Sequence, residues 1–110
     1  ASAVDQLLAT GAKPGTDFTA ILCANDLLAL GTLQRLHELG IGVPDVLSVA
    51  GFDDIPVAQM MAPSLSTVRL PLREMGRRGF DAAIRALNGE RLVPQILPTQ
   101  VVLRDSTRGI

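Results

Sequence analysis

The chain is poorest in the side chains that most often carry chemistry: 110 residues contain one cysteine, Cys23, and one histidine, His37. A single cysteine excludes an intrachain disulfide. Its place inside the apolar run 18–24 predicts a small buried thiol in a reducing, cytoplasmic setting rather than a reactive one. With no Cys/His cluster and no nucleophile beside a base, the sequence gives metal binding, cofactor chemistry and hydrolysis nothing to stand on, so no enzyme, metal or cofactor is expected. Positive charge is also scarce. Ten Lys and Arg stand against eleven Asp and Glu, for a formal net charge of -1. The basic residues are spread along the chain, which leaves no field to draw in a phosphate backbone. No apolar run approaches the roughly 18 residues of a membrane span, so no membrane contact is expected. The opening "ASAVDQLLATG" lacks an initiator Met and the basic and apolar regions of a signal peptide, and the expectation is a piece of a longer chain.

What is present is apolar and patterned. Hydrophobic residues make up 47% and charged residues 19%, the balance of one globular domain with a buried core. The opening stretch reads as a short helix ended by Gly11, with a loop through "AKPGTD". "FTAILCA" is apolar in both alternating sets, Phe18/Ala20/Leu22/Ala24 and Thr19/Ile21/Cys23, which predicts a parallel strand covered on both faces. A helix over 27–39 follows, with Asp26 placed to cap it and Gly40 to end it. "VLSVAGF", residues 46–52, is the next buried strand, completing a right-handed βαβ unit. Beyond "DDIP" come a helical turn near 57–61, a strand in "STVRL" at 66–70 and a helix over 72–87 opened by Pro71. That helix sets Leu72, Met75, Phe80, Ala83, Ala86 and Leu87 on one face and Glu74, Arg77, Arg78, Asp81 and Arg85 on the other. Gly89 ends it, and "QILPTQVVL" supplies a last strand.

Ligands of open α/β sheets collect outside the carboxyl ends of the strands. Asn25 follows the first strand and Asp53 the second. If Asp26 serves the helix, Asn25 is free to face a cleft. An amide that both donates and accepts, beside a carboxylate, suits a polyhydroxylated or heterocyclic small molecule. Each residue also has a plainer reading, Asn25 as a cap and Asp53–Asp54 as an Asx-turn. Neighbours on an extended strand point to opposite sides, so one of the two acids is expected in the site and the other in the turn. The expectation is Asp53 inward and Asp54 capping before Ile55–Pro56.

The chained elements "ANDLLALG", "GVPDVLSVAGFDDIP" and "STVRLPLREMGRR" make the chain resemble, from about Thr19 to Thr107, the C-terminal part of the effector-binding core of lactose-repressor/galactose-repressor transcription regulators. The resemblance implies an α/β fold, a three-layer α/β/α parallel sheet forming the C-terminal portion of a periplasmic-binding-protein-like fold. Residues 1–71 and 93–110 would belong mainly to the C-terminal subdomain. Residues 72–92 would cross toward an N-terminal subdomain largely outside this chain, as is the DNA-binding domain through which alone such a regulator touches DNA. Asn25 and Asp53 match the family's effector-contacting amide and acid, and Leu72 a position that lines the cleft. Leu70 stands where the family commonly has Gln, which removes a hydrogen-bonding group and leaves the effector, a sugar or related polar metabolite, less defined. A periplasmic sugar- or solute-binding protein of the same fold is the alternative.

On a helical wheel Leu28, Ala29, Thr32, Leu36 and Leu39 form the expected core stripe of the 27–39 helix. This leaves Leu27, Leu30, Gln34 and His37 on a second, exposed stripe. The resemblance implies that this helix and the turn at Met60–Met61 serve a two-fold homodimer.

Overall fold

The computed structural model describes residues 2–109. They form two compact units, 2–69 with 101–109, and Leu70–Gln100.

The first unit opens with helix α1 (Ala3–Ala9), held at its start by a reciprocal capping box. The Ser2 hydroxyl accepts from the Asp5 amide, and the Asp5 carboxylate accepts from the Ser2 amide. Arg35 donates to the same carboxylate at 2.8 Å, tying α1 to the second helix. The Arg35 and Ser2 hydrogen bonds hold the Asp5 carboxyl down at about 2. Strand β1 (Ala20–Leu22) pairs in parallel with β2 (Ser48–Ala50), Ile21 opposite Val49, and helix α2 (Asp26–Glu38) makes the crossover between them. Strand β3 (Thr67–Arg69) continues the sheet beside β2 through the bridges Ala50–Ser66 and Asp53–Arg69, and pairs in turn with β4 (Gln100–Val102). One turn of 3₁₀ helix, Pro56–Met60, precedes β3. The tail is sewn in by Ser106, whose hydroxyl accepts from the Ser66 amide at 2.8 Å and donates to the Val49 carbonyl at 2.6 Å.

The strands are shorter than the apolar runs that announce them, and only one face of β1 is covered. Cys23 is buried and Ile21 packs against the core, whereas Leu22 on the opposite face is 79% exposed. An apolar run marks surface that can be buried, and covering it takes a packing partner that these residues do not supply on that side.

The core stripe of α2 also differs from the wheel. Asp26, Ala29, Leu33 and Leu36 are buried, while Leu28 and Leu39 are exposed. The expected arc was rotated because it excluded the acid at the helix start, and that acid is inside. Leu36 and Ala29 pack with Leu47, Val49, Ala58 and Leu65, joining the helix to the sheet and to the 3₁₀ turn.

In the second unit helix α3 (Leu72–Leu87) has the expected bounds and no buried residue. Its charged face is laced by Glu74 with Arg77 and Arg78, and by Arg85 with Glu90. Met75, Gly79 and Ala82 line an apolar cavity against Leu92, Val93 and Leu97 of the extended segment that follows.

The burial contrast along α2 sets an expectation for stability. Leu36→Ala should cost about 2–5 kcal/mol, since Leu36 is 1% exposed, whereas Leu28→Ala, at 57% exposure, should cost a small fraction of that. Urea denaturation of the two variants measures the difference.

Candidate functional site

The carboxyl ends of β1 and β2 meet at the start of α2, where the Asp26 amide donates to the Phe52 carbonyl at 2.9 Å. Asn25 and Asp53, the two polar residues expected in a site, therefore lie at one edge of the sheet.

Asn25 and Asp26 exchange their expected roles. Asn25 has the extended backbone of an N-cap, and its Oδ1 accepts from the Leu28 amide at 2.9 Å. Its amide nitrogen has no hydrogen-bond partner among the described residues, so the cap uses half of the side chain and leaves a donor over. Asp26 is already helical and caps nothing. Its side chain is fully buried, with Oδ1 accepting from the Thr67 hydroxyl at 2.6 Å and Oδ2 from the Ile55 amide at 2.9 Å. Room for it comes from Gly51. A Cβ there would be driven into Asp26 Oδ1 and would lie 3.1 Å from Asp26 Cα.

The Asp53–Asp54 pair departs from an extended strand. Both residues are left-handed, with φ of 112° and 54°, so strict alternation of sides does not govern them. Asp54 is not the cap of the following turn, which has no side-chain cap. Instead it is the centre of a charge cluster. Oδ2 accepts from Arg69 Nε at 2.6 Å and Oδ1 from Arg104 Nη2 at 2.8 Å, with the Asp54 side chain only 9% exposed. Burial pushes this carboxyl up, but the hydrogen bonds from Arg69 and Arg104 outweigh it and hold it below the usual Asp range. Asp53 is half-buried, and its carboxyl has no hydrogen-bond or ion-pair partner among the described residues. Among the described residues no three His, Cys, Asp or Glu side chains converge as a metal site would need.

The apolar members of the expected site lie in the other unit. Leu70 follows directly on β3 and lines the cavity beside Met75, and Leu72 is the exposed first residue of α3. Of the expected partner surface, Leu27, Leu30, Gln34, His37 and Met60 are exposed, whereas Met61 is half-buried against the core. Arg69 is expected at the end of the third strand, but its ion pair with Asp54, like the roles of Thr67 and Arg104, is not legible in the sequence because it lies in pairings with residues 15 to 50 positions away.

A family profile described as periplasmic binding protein-like domain matches residues 1–107. The lactose operon repressor of Rhizobium radiobacter is 38% identical over 103 residues, 93% of this chain and 88% of that protein. The chain belongs to the lactose-repressor family. Its similarity to the transcriptional regulator AscG of Escherichia coli strain K12 is 38% identity over 107 residues, covering 96% of this chain and 31% of AscG. Among solved structures, the lac repressor dimer bound to operator and the anti-inducer ONPF superposes with a TM-score of 0.81 at 33% identity, over 93% of this chain and 35% of that one. The chain thus spans about a third of the length of AscG and of that structure. No helix among the described residues is long and apolar enough to cross a membrane.

The packing around Asp26 makes a sharp expectation. Gly51→Ala should destabilise by about 1–3 kcal/mol, because the new methyl would meet the buried Asp26 carboxyl, the helix backbone at Asp26 and the fully buried Leu65 side chain, none of which has free space to move into. Asn25→Ala should cost about 1 kcal/mol through the lost cap. Denaturant midpoints of the two variants test both values.

Proposed function

We propose that this chain is the effector-sensing and dimerisation region of a bacterial transcription regulator. A small polar molecule, a sugar or related metabolite, binds at the sheet edge bearing Asn25 and Asp53 and modulates DNA binding by a domain elsewhere in the protein. The observation that carries the reading is the Asp53 carboxyl, the strand-end acid without a partner among the described residues while its neighbour Asp54 is consumed by two arginines. The Asn25 amide nitrogen, at the same sheet edge and without a partner among the described residues, adds a donor. Together they offer the mixed donor and acceptor set that hydroxyls and heterocycles require. The first unit supplies one wall of such a site. In this reading residues 1–71 and 93–110, Leu70 among them, are mainly C-terminal subdomain, and residues 72–92, beginning with Leu72, cross toward the N-terminal subdomain. The protein acts in the cytoplasm, by binding rather than by catalysis. The regulator names of its relatives favour this reading over a periplasmic solute-binding protein.

Calorimetric titration of the regulator containing this chain with D-glucose, D-galactose, D-ribose, lactose and hypoxanthine tests the site. For whichever of these binds, Asp53→Ala should weaken affinity by about 10- to 150-fold, the worth of a hydrogen bond to a charged group. DNA binding without effector should survive, because a ligand shifts an equilibrium only through differential affinity. Unchanged affinity in Asp53→Ala would remove the residue from the site.

The exposed stripe Leu27, Leu30, Gln34 and His37, with Met60 and Met61, is the proposed two-fold interface. Two leucines on a polar helix face and a methionine 78% exposed are apolar surface that a second copy would cover. Sedimentation of the regulator carrying Leu30→Asp and Met60→Asp should show monomer in place of dimer, and a persisting dimer would refute the assignment.

A further inference from the structure

We propose that Asp54 and Arg104 are positioning residues for Asp53, and that their ion pair holds the left-handed step from which the Asp53 carboxyl is presented. The inference builds on the reading of Asp53 as an effector contact, and its test separates the two.

Two successive residues with positive φ, neither of them glycine, adopt a conformation that L side chains rarely keep unless the surroundings impose it. Here the backbone donors are fully engaged. The Asp53 amide donates to the Val68 carbonyl at 3.0 Å, the Asp54 amide to Thr67 Oγ1 at 3.4 Å and the Ile55 amide to Asp26 Oδ2 at 2.9 Å. These bonds fix one side of the step. The other side is fixed through the Asp54 carboxylate, held by Arg69 at 2.6 Å and by Arg104 at 2.8 Å.

The two arginines are not equivalent. Arg69 is half exposed, whereas the Arg104 side chain is 14% exposed, and its second terminal nitrogen donates to the Leu65 carbonyl at 2.9 Å. Swinging Arg104 away would leave both a buried carboxylate and a carbonyl short of a donor, so Arg104 is the rigid half of the clamp. The arrangement also divides labour between adjacent acids. Asp54 is saturated by two cations, and Asp53, with no partner among the described residues, is the acid left to accept from a ligand.

The test is hydrogen exchange in the regulator containing this chain, read at the Asp53 and Ile55 amides against the core amide of Val49. In Asp54→Asn and Arg104→Gln, protection at Asp53 and Ile55 should fall by about tenfold or more relative to Val49. Arg104→Lys, which keeps the charge, should recover part of it. Arg69→Gln removes only the exposed half, should give a smaller loss at the same two amides, and serves should Asp54→Asn fail to fold. A loss shared equally by all three amides means that the cluster merely stabilises the fold, and overturns the proposal, as does no loss at Asp53. An intact exchange pattern with Asp53→Ala still weakening effector binding would sink the positioning role alone. A local loss at Asp53 and Ile55 with binding unchanged in Asp53→Ala would instead remove the effector reading and leave the clamp.

Discussion

A carboxyl group with no exposed surface sits at the joint of this fold. Burying an acid is costly unless its oxygens are matched by donors, and Asp26 meets that condition with one hydroxyl and one amide from two different segments. The match explains three otherwise separate features. Helix α2 starts where it does because Asp26 must point into the sheet while Asn25, one residue earlier, satisfies the first turn. Gly51 is a glycine because the carboxyl occupies the space of a side chain there. The chain after β2 turns as it does because the Ile55 amide is drawn to the same acid. An acid in the first turn of a helix also suits the positive end of the helix dipole, so the burial opposes no local preference.

The parts of this organisation legible in the sequence are those set by local rules. Gly11, Gly40 and Gly89 all adopt the positive φ that helix termination uses, and the bounds of α3 and the order of strands and helices follow from periodicity and these stops. The parts that were not legible depend on pairings distant in sequence. Which of Asn25 and Asp26 caps the helix turns on Thr67, and whether Asp54 caps a turn or binds cations turns on Arg69 and Arg104. Periodicity also could not tell that one face of β1 remains open, because an apolar residue reports its own preference and not the presence of a neighbour.

At the candidate site the placement of Asn25 and Asp53 at adjacent strand ends follows from the topology of any parallel sheet, which is why the sequence could anticipate it. Their chemical readiness does not follow from topology. It arises because Asn25 spends only its oxygen on the helix and because the second of two neighbouring acids absorbs the cationic charge. In the proposed reading, Asp53 is presented to an effector by neighbours that hold its backbone in place.

Arg69 is the last residue before the Leu70–Gln100 unit and Arg104 lies just beyond it, so one carboxylate grips the chain on both sides of that excursion. For a flexible loop whose ends are pinned, closure entropy grows only with the logarithm of length, about 0.6 kcal/mol for each doubling. By that measure the ion pairs at the neck would tolerate a change in the length of the excursion far better than the loss of either arginine. Substitution at the neck, at Asp54 above all, has no such latitude.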